Sequence, residues 1–161
     1  MSRRDYTNMA NTYTQIHIHF VFAVKYRLGI IQSGWKEELY KYMTGISQNN
    51  NHKLLAINGM SDHIHILIGI RPSQSVSDLM KDIKQGSSKW INENKFTKVH
   101  FEWQEGYGAF SYSKSQINNV IRYIQNQEEH HKTKTFIEEY LEILENFEIE
   151  YDSKYIFKEL I

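Results

Sequence analysis

Apolar and polar positions along the chain alternate with two different periods, and the switches between them outline the expected elements. Residues 15–24, QIHIHFVFAV, are β-branched and aromatic and predict a strand. Trp35, Leu39, Met43 and Ile46 then recur at helical spacing behind Ser33, until Asn49-Asn50-Asn51 stops the helix. Two strands are expected at 53–59 and 62–70, joined tightly around Gly59-Met60-Ser61. Ser75, with Asp78 three residues on, reads as an N-cap opening a helix that carries Val76, Leu79, Met80 and Ile83 on one face. The second half of that helix holds Gly86, Ser87 and Ser88, which thins one side of it. Residues 99–112 read as one or two short strands broken at the Gly106 and Gly108 turn. Ser113 and Gln116 match a capping box for a helix reaching Glu129, with Ile117, Val120, Ile121 and Ile124 at i, i+3, i+4 and i+7. Thr135 with Glu138 opens a last helix bearing Phe136, Tyr140, Leu141 and Leu144.

The order strand-helix-strand-strand-helix-strand predicts an α+β protein: a mostly antiparallel sheet with helices packed on one face, a ferredoxin-like (RRM-like) sandwich. No repeat, low-complexity tract or linker divides the chain. Residues 1–161 are therefore expected to form one domain, with a polar arm at 1–14 and a C-terminal helix and tail at 135–161.

Composition narrows the classes. Apolar residues make up 40% and charged residues 24% of 161, which excludes a disordered chain, and no apolar run approaches the ~20 residues of a spanning helix. The first residues, MSRRDYTNMANTYTQ, lack the apolar stretch of a secretory signal. The chain has no cysteine, hence no disulfide, thiolate zinc site or cysteine nucleophile, and a cytoplasmic setting is expected. Nineteen basic residues balance 19 acidic ones, which argues against a coat held on nucleic acid by charge alone but leaves room for a local basic groove. The stretch after Thr135 is acidic, and its role is open at this level.

His63-Ile64-His65 is the first candidate for chemistry. Side chains two apart on a strand point the same way, so both imidazoles can share one ion while Ile64 turns to the core. The plainer reading is a pair of polar-face histidines on a half-exposed strand. His17-Ile18-His19 has the same spacing on the opening strand, and spacing alone does not choose between the pairs. A phosphoesterase with two paired-histidine strands is disfavoured, because Val21 and Leu67 stand where its hydroxyl residues belong. His130 and His131 are adjacent and diverge by about 100° on a helix, so they do not readily share an ion. Tyr123 and Gln127, at i and i+4, line the margin of the apolar stripe of the Ser113–Glu129 helix. They present a phenol and a neutral amide oxygen together.

In this setting the residues resemble the Y1-type transposases of the IS200/IS605 class, which are HUH (His-hydrophobic-His) endonucleases. The likeness runs from His19 to about Leu144 and rests on HFVFAVKYR, DHIHILI, IKQGSSKWI, WQEGYGAFSYS and VIRYIQNQ in the family's order. It implies that His63 and His65 are the metal pair, that His19 is not a core ligand, that Gln127 is the third ligand and that Tyr123 is the nucleophile. The additional His17 is then structural. The family's fold is the ferredoxin-like sheet already expected. The implied activity is cleavage and rejoining of single-stranded DNA at hairpin-flanked element ends through a 5′-phosphotyrosine link, with Mg2+ or Mn2+ as divalent cation. The implied assembly is a homodimer whose active site can be shared between subunits.

A free tyrosine, with a pKa near ~10, is a poor nucleophile at neutral pH, so a cation polarising the phosphate fits the residue set. The phosphotyrosine would keep the bond energy, and no GxxxxGK[ST] loop for ATP occurs. DNA contacts are expected from Lys25-Tyr26-Arg27 after the first strand, from Lys84 and Lys89 beside the Gly86–Ser88 patch, and from Arg122, Lys132 and Lys134. Trp103 and Tyr107 are candidates for base stacking, and Asp62 for orienting a ligand. Two other readings remain at this stage. One is a domesticated tyrosine nuclease acting on chromosomal hairpins; the other is a non-catalytic nucleic-acid-binding module of the same fold. The choice between histidine pairs has a direct test on denaturing gels: His63→Ala should abolish cleavage of single-stranded DNA, and His17→Ala should spare it.

Overall fold

A computed structural model describes residues 12–152. Most of the expected N-terminal arm and the end of the tail lie outside the described residues. The elements are β1 (His17–Ala23), α1 (Lys36–Asn49), β2 (Lys53–Gly59), β3 (His63–Gly69), α2 (Val76–Glu93), β4 (Gly108–Ser111), α3 (Ile117–Gln125), the single turn α4 (Gln127–His130) and α5 (Phe136–Asn146). Four antiparallel strands pair in the order β2-β3-β1-β4, so the two histidine-bearing strands are central neighbours. This is the ferredoxin-like arrangement read from the element order.

Alternation on the central strands divides the residues between two faces. Phe20 and Phe22 of β1 and Ile64, Ile66 and Ile68 of β3 point to one side, where Leu39 and Met43 of α1 and Leu79, Met80 and Ile83 of α2 cover them. His19 and Val21 of β1 and His63, His65 and Leu67 of β3 point to the other.

The expectation of helices on one face holds for α1 and α2 and fails for the rest. Ile117, Val120 and Ile124 of α3 cover Leu67 and Ala56, and Leu144 of α5 packs with Val21 and Phe110. The physical reason lies in β1 and β3, which are buried at nearly every position, so the histidine-bearing face needs cover as well as the apolar one.

Two local expectations also change. Ser113 does not cap a helix: its Oγ pairs with Ser115 Oγ at 2.9 Å, and residues 114–116 form a 3-10 turn before α3. The helix expected to reach Glu129 is interrupted at Asn126 (φ −95°, ψ 25°), and Gln127 starts the separate turn α4. By contrast Ser75 and Thr135 cap as read, their hydroxyls accepting from the N–H of Asp78 and Glu138.

The small-residue patch on α2 serves packing. A Cβ on Gly86 would lie 2.8 Å from Ile46 Cδ1 of α1, and the buried Ser87 hydroxyl accepts the Trp103 indole N–H at 2.9 Å. Gly59 is required by the β2–β3 turn, since a Cβ there would lie 2.1 Å from the His63 carbonyl oxygen. Ile66, fully buried at the centre of β3, is the position whose truncation tests the core. Ile66→Ala should cost about 2–5 kcal/mol in urea unfolding, through lost transfer free energy and the cavity left behind.

Candidate functional site

The face of the sheet opposite α1 and α2 carries the chemistry. Register places His19 opposite Leu67 and Val21 opposite His65, which sets His19 diagonally beside His65. Their rings stack at 5.0 Å, and His19 Nε2 lies 2.8 Å from His65 Nδ1. His63, His65, Gln127 and Glu139 are all buried.

The element that sequence reasoning left without a role supplies the centre. Glu139, on the first turn of α5, lies among the imidazoles with only 3% of its surface exposed. Its Oε1 is 2.9 Å from His65 Nε2, 3.2 Å from His131 Nε2 and 3.5 Å from His63 Nε2. Its Oε2 accepts the Tyr123 hydroxyl hydrogen bond and, at 3.1 Å, the Gln127 amide N–H. Gln127 Oε1 in turn lies 3.0 Å from His63 Nε2 and 3.1 Å from His131 Nε2. Tyr123, His63, His65 and Gln127, separated by up to 64 positions in sequence, therefore meet at one point.

Electrostatics follow from burial and contact. Burial alone would raise the Glu139 carboxyl, but hydrogen bonds from His63, His65 and Tyr123 outweigh it and hold the group well below the usual carboxylate range. Burial pushes His65 down to about 4 and also lowers His19, so both rings are neutral. For His63 burial acts downward too, but Asp62 and Glu139 overcome it and raise the ring to about 9. Burial and the Glu139 charge push the Tyr123 phenol above its ordinary value.

The donor set suits a cation. His63 Nδ1 donates to Asp62 Oδ1 at 2.7 Å, and His131 Nδ1 donates to the Lys134 carbonyl at 2.9 Å. In their neutral forms both rings thus aim Nε2 lone pairs at the oxygens of Gln127 and Glu139. Lone pairs facing lone pairs require a shared positive charge, whether protons or a metal ion. His63, His65 and Glu139 offer ligand atoms all within 4.8 Å of one another, and these residues, with Gln127, could hold a divalent ion.

His130, which sequence reasoning set aside with His131, lies against the other side of Tyr123, ring centres 4.5 Å apart. The adjacent histidines do diverge as expected, yet both border the site. Glu139 was nonetheless detectable in sequence: it shares the apolar stripe of α5 with Phe136, Tyr140 and Ile143, where a charge is out of place. No comparable signal marks His131, whose position depends on the break at Asn126.

The residues named for DNA contact are dispersed. Lys25 pairs with Glu102 at 3.0 Å on the surface, and Tyr26 and Arg27 follow it in a left-handed turn. Lys84 donates to the carbonyls of Gln104 and Gly106 at 2.7 and 2.8 Å, so it ties a loop to α2. Lys89 faces Glu93 at 3.8 Å, and Arg122 donates to Asn119 at 2.7 Å. Trp103 belongs to the core, edge-on to Phe22 at 4.8 Å, whereas Tyr107 is exposed. Lys132 pairs with Glu129 at 2.8 Å, and Lys134 pairs with Glu142. Lys134 borders two cavities beside the site. One, about 420 Å³, is shared with Tyr123, His130 and Glu139; the other, about 450 Å³, with Asp62 and His131.

The raised His63 value makes the metal-free fold pH-dependent. Its proton stabilises the fold in full below the ordinary value of 6.5, and that contribution is lost as pH rises through about 9. Urea midpoints of the metal-free protein should fall over this window, and His63→Gln should flatten the decline.

Comparison with known proteins agrees with this geometry. Residues 12–127 match the family described as IS200-like transposases. The ISDra2 transposase TnpA of Deinococcus radiodurans is 23% identical over 119 residues, covering 70% of this chain and 84% of the relative. The transposase of insertion sequence element IS200 from Salmonella typhimurium is 28% identical over 134 residues, covering 80% and 87%. Among solved structures, a candidate transposase from D. radiodurans superposes with a TM-score of 0.60 at 23% identity, covering 73% of this chain and 94% of that one. A REP-associated tyrosine transposase, solved bound to a REP hairpin, gives 0.58 at 13% identity, covering 75% and 72%. No helix among the described residues is long and apolar enough to cross a membrane. With a family match spanning most of its length and a tyrosine, an amide and a histidine pair converging on one buried carboxylate, this chain belongs to the IS200-like family of Y1 transposases.

Proposed function

We propose that the protein is a metal-dependent single-strand DNA endonuclease and strand transferase that uses Tyr123 as nucleophile at hairpin-flanked DNA ends. The observation that carries this reading is the meeting of the Tyr123 hydroxyl and the imidazole set on opposite oxygens of one carboxylate. A nucleophile and a candidate cation site then lie one carboxyl group apart, close enough for both to reach one bound phosphate.

In the proposed step Tyr123 Oη attacks phosphorus while the bond from phosphorus to the 3′ oxygen breaks. The tyrosine proton leaves along its hydrogen bond to Glu139 Oε2, and the carboxylate, too weak a base to keep it, passes that same proton on to the departing 3′ oxygen, which becomes a hydroxyl. The phosphate stays joined to Tyr123 on the 5′ side. Attack by the 3′ hydroxyl of a second DNA end reverses the exchange and returns the tyrosine, so no ATP is consumed. A divalent cation, Mg2+ or Mn2+, held by His63, His65, Gln127 and Glu139 supplies Lewis-acid polarisation of the phosphate. Asp62 holds the His63 ring, as an orienting carboxylate does in metal sites. Lys134, between the two cavities, is placed to meet the phosphates of a strand crossing the site.

The related tyrosine transposase solved with a REP hairpin supports hairpin DNA as the substrate class. The proposal includes a homodimer. Tyr123 lies over His65 of its own chain, ring centres 5.8 Å apart, which supports a site completed within one subunit.

Incubation with hairpin-bearing single-stranded DNA and Mg2+ or Mn2+ should yield a covalent protein–DNA adduct on denaturing gels. Tyr123→Phe should remove it, and so should chelation of the metal. An adduct that survives in Tyr123→Phe would overturn the assignment, and light scattering that shows a strict monomer at high concentration would overturn the dimer.

A further inference from the structure

Three imidazoles, not two, turn their Nε2 atoms to Glu139 Oε1, at 2.9 Å (His65), 3.2 Å (His131) and 3.5 Å (His63); His63 and His65 are buried and His131 is partly so. Neighbouring ligand atoms around one ion, each at about 2.1 Å from it and at right angles, stand roughly 3.0 Å apart. The distances from the Glu139 oxygen to the His65 and His131 nitrogens are of that size, and the distance to His63 is longer.

The opposite nitrogen of each ring is also engaged. Nδ1 of His63 bonds the Asp62 carboxylate, Nδ1 of His65 bonds His19 Nε2, and Nδ1 of His131 bonds the Lys134 carbonyl. A ring held at Nδ1 by a carboxylate, an imidazole or a carbonyl, with Nε2 turned to a common point, is the usual arrangement of a metal-ligating histidine. His131 meets this description by its hydrogen bonds, and it stands beside the set of His63, His65 and Glu139 whose ligand atoms all lie within 4.8 Å of one another. Its placement is also built in: its N–H bonds the Gln127 carbonyl at 3.0 Å, closing α4, and the turn to Thr135 then aims the ring back at the site. His131 and Glu139 both lie beyond residue 127, where the family match ends.

We propose that His131 is a further metal ligand, and that three imidazoles with the Glu139 carboxylate make this centre selective for a first-row transition-metal ion over magnesium. The chemistry decides the class. Magnesium is hard, keeps several waters and binds through oxygen, whereas imidazole nitrogen favours Mn2+, Co2+ and the later ions in the Irving–Williams order. Each added nitrogen ligand widens that gap. The inference rests on the proposed metal centre but not on DNA cleavage.

The test is metal binding without DNA. Calorimetric titration of the whole protein with Mn2+, Co2+ and Mg2+ should give tighter binding of the first two, and His131→Gln should weaken Mn2+ roughly 10- to 100-fold while changing Mg2+ less. Pulsed electron paramagnetic resonance of the Mn2+ form should show three coupled imidazole nitrogens in the wild type and two in His131→Gln. Circular dichroism checks that the variant is folded. Two nitrogens in both forms, or an unchanged Mn2+/Mg2+ ratio in the folded variant, would overturn the proposal. A three-nitrogen centre with no DNA adduct under any metal would instead sink the nuclease reading and leave this one standing. If neither Mn2+ nor Mg2+ binds, both fall together.

Discussion

A buried carboxylate among imidazoles is tolerable only when every lone pair around it faces a proton or a cation, and that condition organises one whole face of this protein. Glu139 brings a negative charge into a site with almost no exposure, where an unpaired ion would be prohibitively costly. His63, His65, His131, Gln127 and Tyr123 each answer one of its oxygens. Each is held from behind by strand pairing, by α4 or by the packing of α3. The same contacts that make the charge bearable give Tyr123 its place beside the candidate metal ligands.

The sheet supplies the stiffness this requires. β1 and β3 are neighbours in the middle of the sheet, and their apolar residues are locked between α1 and α2 on the far side. Imidazoles that alternate with Ile64 and Ile66 inherit that rigidity, because their Cβ positions cannot move without unpacking the core. The tyrosine side is held more lightly. α3 rests on Leu67 and Ala56, and the helix breaks at Asn126. Segments with fewer buried contacts are the ones that shift when a substrate has to enter.

Much of this was legible in the residues. The caps at Ser75 and Thr135, the helical stripe of α1 and the pairing of the strands flanking Gly59 follow from local chemistry that acts within a few positions. The capping box at Ser113 misled because Ser115 offered its hydroxyl a competing partner. Lys84 and the Gly86–Ser88 patch looked like a phosphate surface because a lysine beside small residues reads the same whether it meets DNA or its own loop. Here Lys84 is committed to the carbonyls of Gln104 and Gly106, while Gly86 and Ser87 admit Ile46 and Trp103.

Periodicity and spacing by themselves determined that His63 and His65 share a face, that Tyr123 and Gln127 edge an apolar helix, and that the order of elements is that of a ferredoxin-like sandwich. These are properties of one strand or one helix, set by backbone geometry. Only the tertiary structure decided that both faces of the sheet are covered, that His19 stacks on His65, and that Glu139 and His131 stand among the imidazoles. Such placements depend on how far α3 runs before Asn126 interrupts it and on where the following turn sends α5. Those are outcomes of long-range packing that no local pattern encodes.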